Sequence, residues 1–251
     1  MTATKPFRRT CRPFGDGRYP EWLYTLHPRF ARDPRHYVRA FLLLQRDLLD
    51  LFDYVEPADA NLGTYSHRVQ QLLMRTCVEV EANLTAILVE NGYKKSGDLK
   101  MPDYKLVDKT HHLSSYEIRI PAWRGTGGTR HPFATWKSAD GALSWYRAYN
   151  KSKHDRHEHF QLANFGALID AIGGLAALMS SQFHQEDYSS NPKTLSVHSN
   201  YSYDTADGME SAIGGYFRVR FPTDWDDMEK YDFTWSSLSA EADPFAEHTY
   251  V

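Results

Sequence analysis

SWYRAYNKSKHDRHEHF, residues 144–160, runs through Gln161 into LANFGALIDAIGGLAALM, residues 162–179, and how these two stretches join decides the fold. The second is apolar enough for the centre of a core. The first carries three histidines, two lysines and two arginines among aromatics. Read as one helix from about Ala139 to Phe183, with a break near Gly173-Gly174, the wheel turns about 100° per residue. With Arg147 at zero, Asn150 falls near about 300°, Lys151 about 40°, His154 about 340°, Glu158 about 20° and Gln161 about 320°. Those polar groups share a stripe, and Trp145, Tyr149 and Phe160 lie roughly opposite. Continued further, the stripe is taken over by Phe165, Leu168, Ile169 and Ile172. Such a pattern predicts a polar site at the mouth of a helical core.

The apolar stretch is near the minimum length for a membrane span. Asp170 at its centre would cost about 2.5–3.5 kcal/mol on insertion, so a buried core helix and no membrane partner are expected. Working outward, DPRHYVRAFLLLQRDLLDLF predicts an earlier helix, with Asp33 as cap, Pro34 at the first position and Val38, Phe41, Leu42, Leu48, Leu49 and Phe52 at helical spacing. A second runs from about Ser66 to Asn91. There Val69, Leu72, Leu73, Thr76, Val80, Leu84, Ile87 and Leu88 form one face, and Gly92 is the stop. MPDYKLVDKTHHLSSY suggests a short helix. Residues 117–120 alternate like a strand, as do Tyr216–Phe221 and Tyr231–Trp235, which predicts two C-terminal strands across an acidic turn. The expected organisation is an irregular N-terminal arm at 1–32, a helical domain at 33–190 with an insertion at about 100–137, and a small β appendage with a mobile acidic tail at 191–251.

The chain has 251 residues, 41% of them hydrophobic, and a net charge of -3, so any basic site must be local. It is local here. Between Arg147 and His159, four cations (Arg147, Lys151, Lys153, Arg156) face two carboxylates (Asp155, Glu158), leaving two positive charges before any histidine protonation. Arg147 can fork onto phosphate oxygens, Asn150 can orient a phosphate or hydroxyl through its amide, and His154 can move a proton near neutral pH. A solvated helix end is the plain alternative.

Other chemistries fare worse. Two cysteines exclude a disulfide framework or a cysteine zinc site. HDRHEH lacks any zincin pattern, and its His154/His157 and Asp155/His159 pairs point in different directions, so neither metal nor cofactor is expected. RGTGGTR, residues 124–130, offers backbone N–H groups to an anion, with Arg124 and Arg130 nearby, but lacks the G-K-[ST] ending of a P-loop. A flexible hairpin tip is the expectation there. His111, His112 and His131 read as structural or solvated. The N-terminal stretch has no apolar segment of a secretory signal, and a cytoplasmic protein is expected.

Arg147-Ala-Tyr-Asn-Lys-Ser-Lys-His154, an arginine and a histidine separated by six residues late in a predicted bundle, resembles the HEPN superfamily. The commonest HEPN form places a polar residue, often asparagine, directly after the arginine and four before the histidine. Asn150 holds that spacing from His154, Tyr149 stands where the arginine usually is, and Arg147 lies two residues earlier. Either Arg147 acts from one turn back, or the fold is kept without catalysis. The helix carrying Glu79 and Glu81 also resembles the earlier long HEPN helix, and the likeness covers roughly residues 35–185, excluding the insertion near 100–137. It implies a mainly α, HEPN-like four- to five-helix bundle with a small β insertion and a C-terminal β elaboration.

It further implies a metal-independent endoribonuclease of a defence or toxin type, forming its site across a homodimer, with an antitoxin or defence-complex partner. His154 would be general acid/base, Arg147 would stabilise the transition state and Asn150 would orient it. Lys151, Lys153, Arg156 and Tyr146 would bind the RNA. The alternative it leaves open is a catalytically inactive HEPN-like subunit that binds RNA or a nucleotide, or that serves in assembly.

Overall fold

In the computed structural model, residues 3–17, 22–188 and 207–250 are described. The chain order is helix α1 (Pro34–Phe52), α2 (His67–Glu90), the short α3 (Met101–Lys105) and α4 (Asp108–His111), strands β1 (Glu117–Arg119) and β2 (Thr129–Arg130), then α5 (Ser144–His154), α6 (Arg156–His159) and α7 (Phe165–Phe183), and finally β3 (Glu210–Ser211), β4 (Arg218–Arg220) and α8 (Trp235–Leu238). The architecture is mainly α with one small antiparallel sheet.

The first two long helices form where the apolar period requires. On α1, Val38, Phe41, Leu42, Leu48 and Leu51 are buried, and on α2 Val69, Leu72, Leu73, Val80, Leu84, Ile87 and Leu88 are. Ser66 caps α2, its hydroxyl accepting from the Val69 N–H at 3.2 Å, and Gly92 ends it at φ +87°. Asp33 is not the expected cap. It sits left-handed at φ 49° and its side chain makes no capping hydrogen bond, so α1 relies on Pro34 and on burial.

The single long helix expected over 139–183 is three pieces. Asp155 leaves helical geometry (φ −138°, ψ 82°), and its carboxylate accepts from the Glu158 N–H at 3.2 Å, starting α6. Asn164 then caps α7 by accepting from the Ala167 N–H at 2.9 Å. Each short polar side chain offers the backbone a local alternative to the continuing helix. The break expected at Gly173-Gly174 is absent, and α7 runs straight through. Those glycines serve close packing instead: a Cβ on Gly174 would lie 3.4 Å from the Phe133 ring and from Pro132.

α7 is the central element. It is long and apolar enough, by length and composition, to cross a membrane, yet most of it is buried inside the protein. α2 packs along it, with α1, α5 and β1 around. The sheet has order β2-β1-β4-β3, with Ile118 opposite Val219 and both fully buried against the helices. The 100–137 insertion and the C-terminal segment are thereby joined in one sheet.

Tyr231–Trp235 is not the second C-terminal strand that alternation suggested. Tyr231 bridges to Ala3 and Phe14 of the N-terminal arm, and Trp235 opens α8. The tail expected to be mobile packs down, burying Phe245 and Tyr250. Beneath the arm, fully buried Arg9 donates to Glu90 (2.6 Å), Gln182 (3.1 Å) and the Arg32 carbonyl (2.7 Å), fixing the arm to the ends of α2 and α7.

Candidate functional site

The breaks around α6 fold the chain back, so α5 lies beside the start of α7 instead of extending it. An open groove of about 540 Å³ lies between them. One side is the α5 face bearing Ser144, Arg147, Ala148 and Lys151, and the other is Asn164, Gly166, Ala167 and Asp170 of α7. Leu62 and Gly63 close one end, with Arg130 and Leu162 also lining it. The loop at 62–64 is held by α7: the Phe165 N–H donates to the Thr64 carbonyl at 2.7 Å and the Gly166 N–H to the Leu62 carbonyl at 2.8 Å. With Ala167 capped by Asn164, these first-turn N–H groups of α7 are all taken, so an anion in the groove has to be met by side chains.

Arg147 and Lys151 are exposed and line the groove together, and neither makes an ion pair among the described residues. Their spacing of four residues puts them about 6 Å apart along the axis on one face. His154 continues that face as the last residue of α5 and is exposed beyond the groove, about 10 Å along the axis from Arg147. Arg156 is exposed on α6, past the turn at Asp155, so it no longer shares the α5 face.

The other predicted residues face α2. Tyr146 donates its hydroxyl to Glu81 Oε1 at 2.7 Å, and Asn150 hydrogen-bonds to the same tyrosine. Burial, then the Glu81 carboxylate, hold the Tyr146 phenol well above its usual range. Lys153 donates to the Tyr149 hydroxyl at 3.1 Å and sits 5.0 Å from its ring centre. Tyr149, at the position usual for the HEPN arginine, is buried with 1% exposure. Two aromatic side chains of the motif thus belong to packing: Trp145 is also buried, donating its indole N–H to the Pro132 carbonyl at 2.9 Å. The seven predicted residues therefore divide. Arg147 and Lys151 line the groove, His154 lies at its rim, Tyr146, Asn150 and Lys153 lie at the α2 contact, and Arg156 stands apart.

The glycine loop at 124–130 is neither a vacant anion cradle nor a free hairpin tip. Its backbone N–H groups at Thr126 (2.8 Å) and Gly127 (3.0 Å), with the Trp123 indole (2.7 Å), all donate to the Asp59 carboxylate. These bonds, the Trp123 one foremost, lower the Asp59 pKa. Gly125 is required there: it has φ +116°, and a Cβ would sit 2.2 Å from Asp59 Oδ2. So anchored, the loop delivers Arg130 to the groove, where its Nε donates to Asp170 Oδ1 at 2.7 Å and its Nη1 to the Gly127 carbonyl at 3.3 Å.

Asp170 was not a site candidate from sequence, and Arg130 was named only as a neighbour of the glycine loop, not as its partner. One signal was available: a carboxylate inside an otherwise apolar run needs a partner. Among the described residues, no three His, Cys, Asp or Glu side chains converge as a metal site, and the turn at Asp155 separates the histidines of HDRHEH. Of the remaining histidines, His111 is buried between the Arg9 carbonyl (2.9 Å) and Thr110 (2.7 Å). His112 stacks on Trp225 at 3.9 Å, between Asp224 and Glu229. Compared with family models, curated proteins and solved structures, the chain shows no match in any of the three.

Proposed function

We propose that this chain is a metal-independent endoribonuclease with a HEPN-like helical bundle, binding single-stranded RNA along the α5 face. One observation carries the reading: Arg147, Lys151 and His154 form an exposed stripe on one helix, and the stripe borders a groove lined by both apolar and polar side chains. Arg147 forks onto phosphate oxygens and Lys151 adds a point charge to the backbone. Leu62, Leu162 and Ala167 offer apolar surface to an unpaired base.

In the cleavage step, His154 takes the proton of a ribose 2′-hydroxyl as its oxygen bonds to the adjacent phosphorus. The bond to the 5′-oxygen breaks, and that oxygen leaves with a proton from His154 of a second copy. Arg147 stabilises the charge that builds on the phosphoryl oxygens. The products are a 2′,3′-cyclic phosphate and a 5′-hydroxyl. A homodimer fits the exposed Val78 and Val89 on α2, eleven residues apart and so on nearly the same face. Action in the cytoplasm, under an antitoxin or a defence-complex partner, belongs to the same reading.

A second reading, an RNA-binding module of the same fold without catalysis, is favoured by one specific fact. Tyr149 fills the usual arginine position with buried packing, and Asn150 is engaged by Tyr146. Incubating mixed RNA with the protein in EDTA separates the two. Cleavage lost in His154→Ala supports the nuclease, and binding without cleavage supports the silent module. Neither binding nor cleavage by the folded protein refutes both.

A further inference from the structure

Asp170 holds a place that packing alone does not explain. It is the charged residue of α7, a helix otherwise built of apolar, small and neutral polar side chains, and it lies on the groove wall with its side chain 24% exposed. Arg130 fixes one carboxylate oxygen at 2.7 Å. Among the described residues, the other oxygen accepts no hydrogen bond. Arg130 is itself immobilised, through Gly127, through the pairing of β2 with β1, and through the loop pinned on Asp59. A fixed hydrogen-bond acceptor, its charge offset by Arg130, therefore faces the groove. The cations Arg147 and Lys151 stand on the opposite wall. At about 540 Å³, the space suits one nucleotide.

We infer that the groove takes a single unpaired nucleotide, its phosphate on Arg147 and Lys151, and that Asp170 selects bases bearing an exocyclic amino group over uracil. The inference rests on the proposed RNA-binding reading and adds base preference to it. A carboxylate can only accept, and the amino groups of cytosine and adenine project donors from the base edge. The one edge N–H of uracil lies between two carbonyl oxygens, and both would face the carboxylate's negative charge. Asp170 is thus a specificity residue, distinct from the phosphate contacts, which carry no sequence information.

The test uses labelled oligo(A), oligo(C) and oligo(U) with 2′-O-methyl riboses, so that cleavage cannot intervene, titrated with the full chain at one fixed low salt concentration. Wild type is expected to bind oligo(C) and oligo(A) about tenfold more tightly than oligo(U). Asp170→Asn, which replaces an acceptor oxygen by a donor amide, should bring the oligo(C) to oligo(U) ratio close to one. Arg147→Ala should weaken all three alike. Should Asp170→Asn not fold, the wild-type ratio still decides. Equal binding of the three oligonucleotides, or an unchanged ratio in Asp170→Asn, overturns the base preference and leaves the RNA-binding reading intact. Failure of all three to bind overturns both.

Discussion

Lowering the pH should destabilise this protein through one buried imidazole, and the size of the effect follows from its surroundings. His111 is 1% exposed, with Nε2 against the Arg9 carbonyl and Nδ1 against the Thr110 hydroxyl. Burial, partly offset by the hydrogen bond to Arg9, brings its pKa down from 6.5 to about 3. Because the folded value is depressed, the unfolded chain binds more protons between those limits, and stability falls as pH drops from 6.5 toward 3. From about pH 7 to about pH 5 the unfolded imidazole gains its proton and the folded one does not, a loss of about 2 kcal/mol at 1.36 kcal/mol per unit. His184 and His248, both lowered to about 4 chiefly by burial, act in the same direction. The assay is urea unfolding at the two pH values for wild type and for His111→Gln, which does not titrate. Wild type should lose about 2 kcal/mol more than the variant across that interval. Equal losses would refute the claim that His111 is held neutral.

Four further outcomes follow from the packing. Arg9→Met removes the guanidinium shared by Glu90, Gln182 and the Arg32 carbonyl and leaves part-buried Glu90 with only the Arg32 N–H, so urea unfolding should show a loss of about 3 kcal/mol. Asp59→Ala takes away the acceptor that pins the glycine loop, and amide exchange at Thr126 and Gly127 should quicken by about tenfold or more while α2 and α7 keep their protection. Tyr149→Phe deletes only the hydroxyl that accepts from Lys153 and should cost about 1 kcal/mol. Tyr149→Arg should instead destabilise by about 2 kcal/mol or more, because that position is buried. A melting temperature at or above wild type for Tyr149→Arg would contradict the burial argument.

How much of this was legible in the sequence depended on the range of the interactions. α1 and α2 could be read because their apolar period and, for α2, the Ser66 and Gly92 stops act within a few residues. The break at Asp155 was also locally encoded, since Asp155 followed three residues later by Glu158 is a helix-start pattern. Gly173-Gly174 misled in the other direction, because only the approach of Pro132 and Phe133 shows why two glycines are tolerated mid-helix. Pairing of β1 with β4 joins residues about a hundred apart in the chain, and no local pattern announces it. At the groove, the wheel rightly placed Arg147 and Lys151 on one face. Arg130 and Asp170 come from a loop and a different helix, and only the tertiary fold unites them.

In the proposed function the Arg147–Lys151–His154 face of α5 engages and cuts RNA, and the cut ends carry the signature of that chemistry. Single-stranded RNA incubated with the full chain in EDTA, then read by mass spectrometry, should carry 2′,3′-cyclic phosphates opposite new 5′-hydroxyls, and His154→Ala should yield none. Intact RNA with wild type, or the same ends at the same rate from His154→Ala, would contradict it.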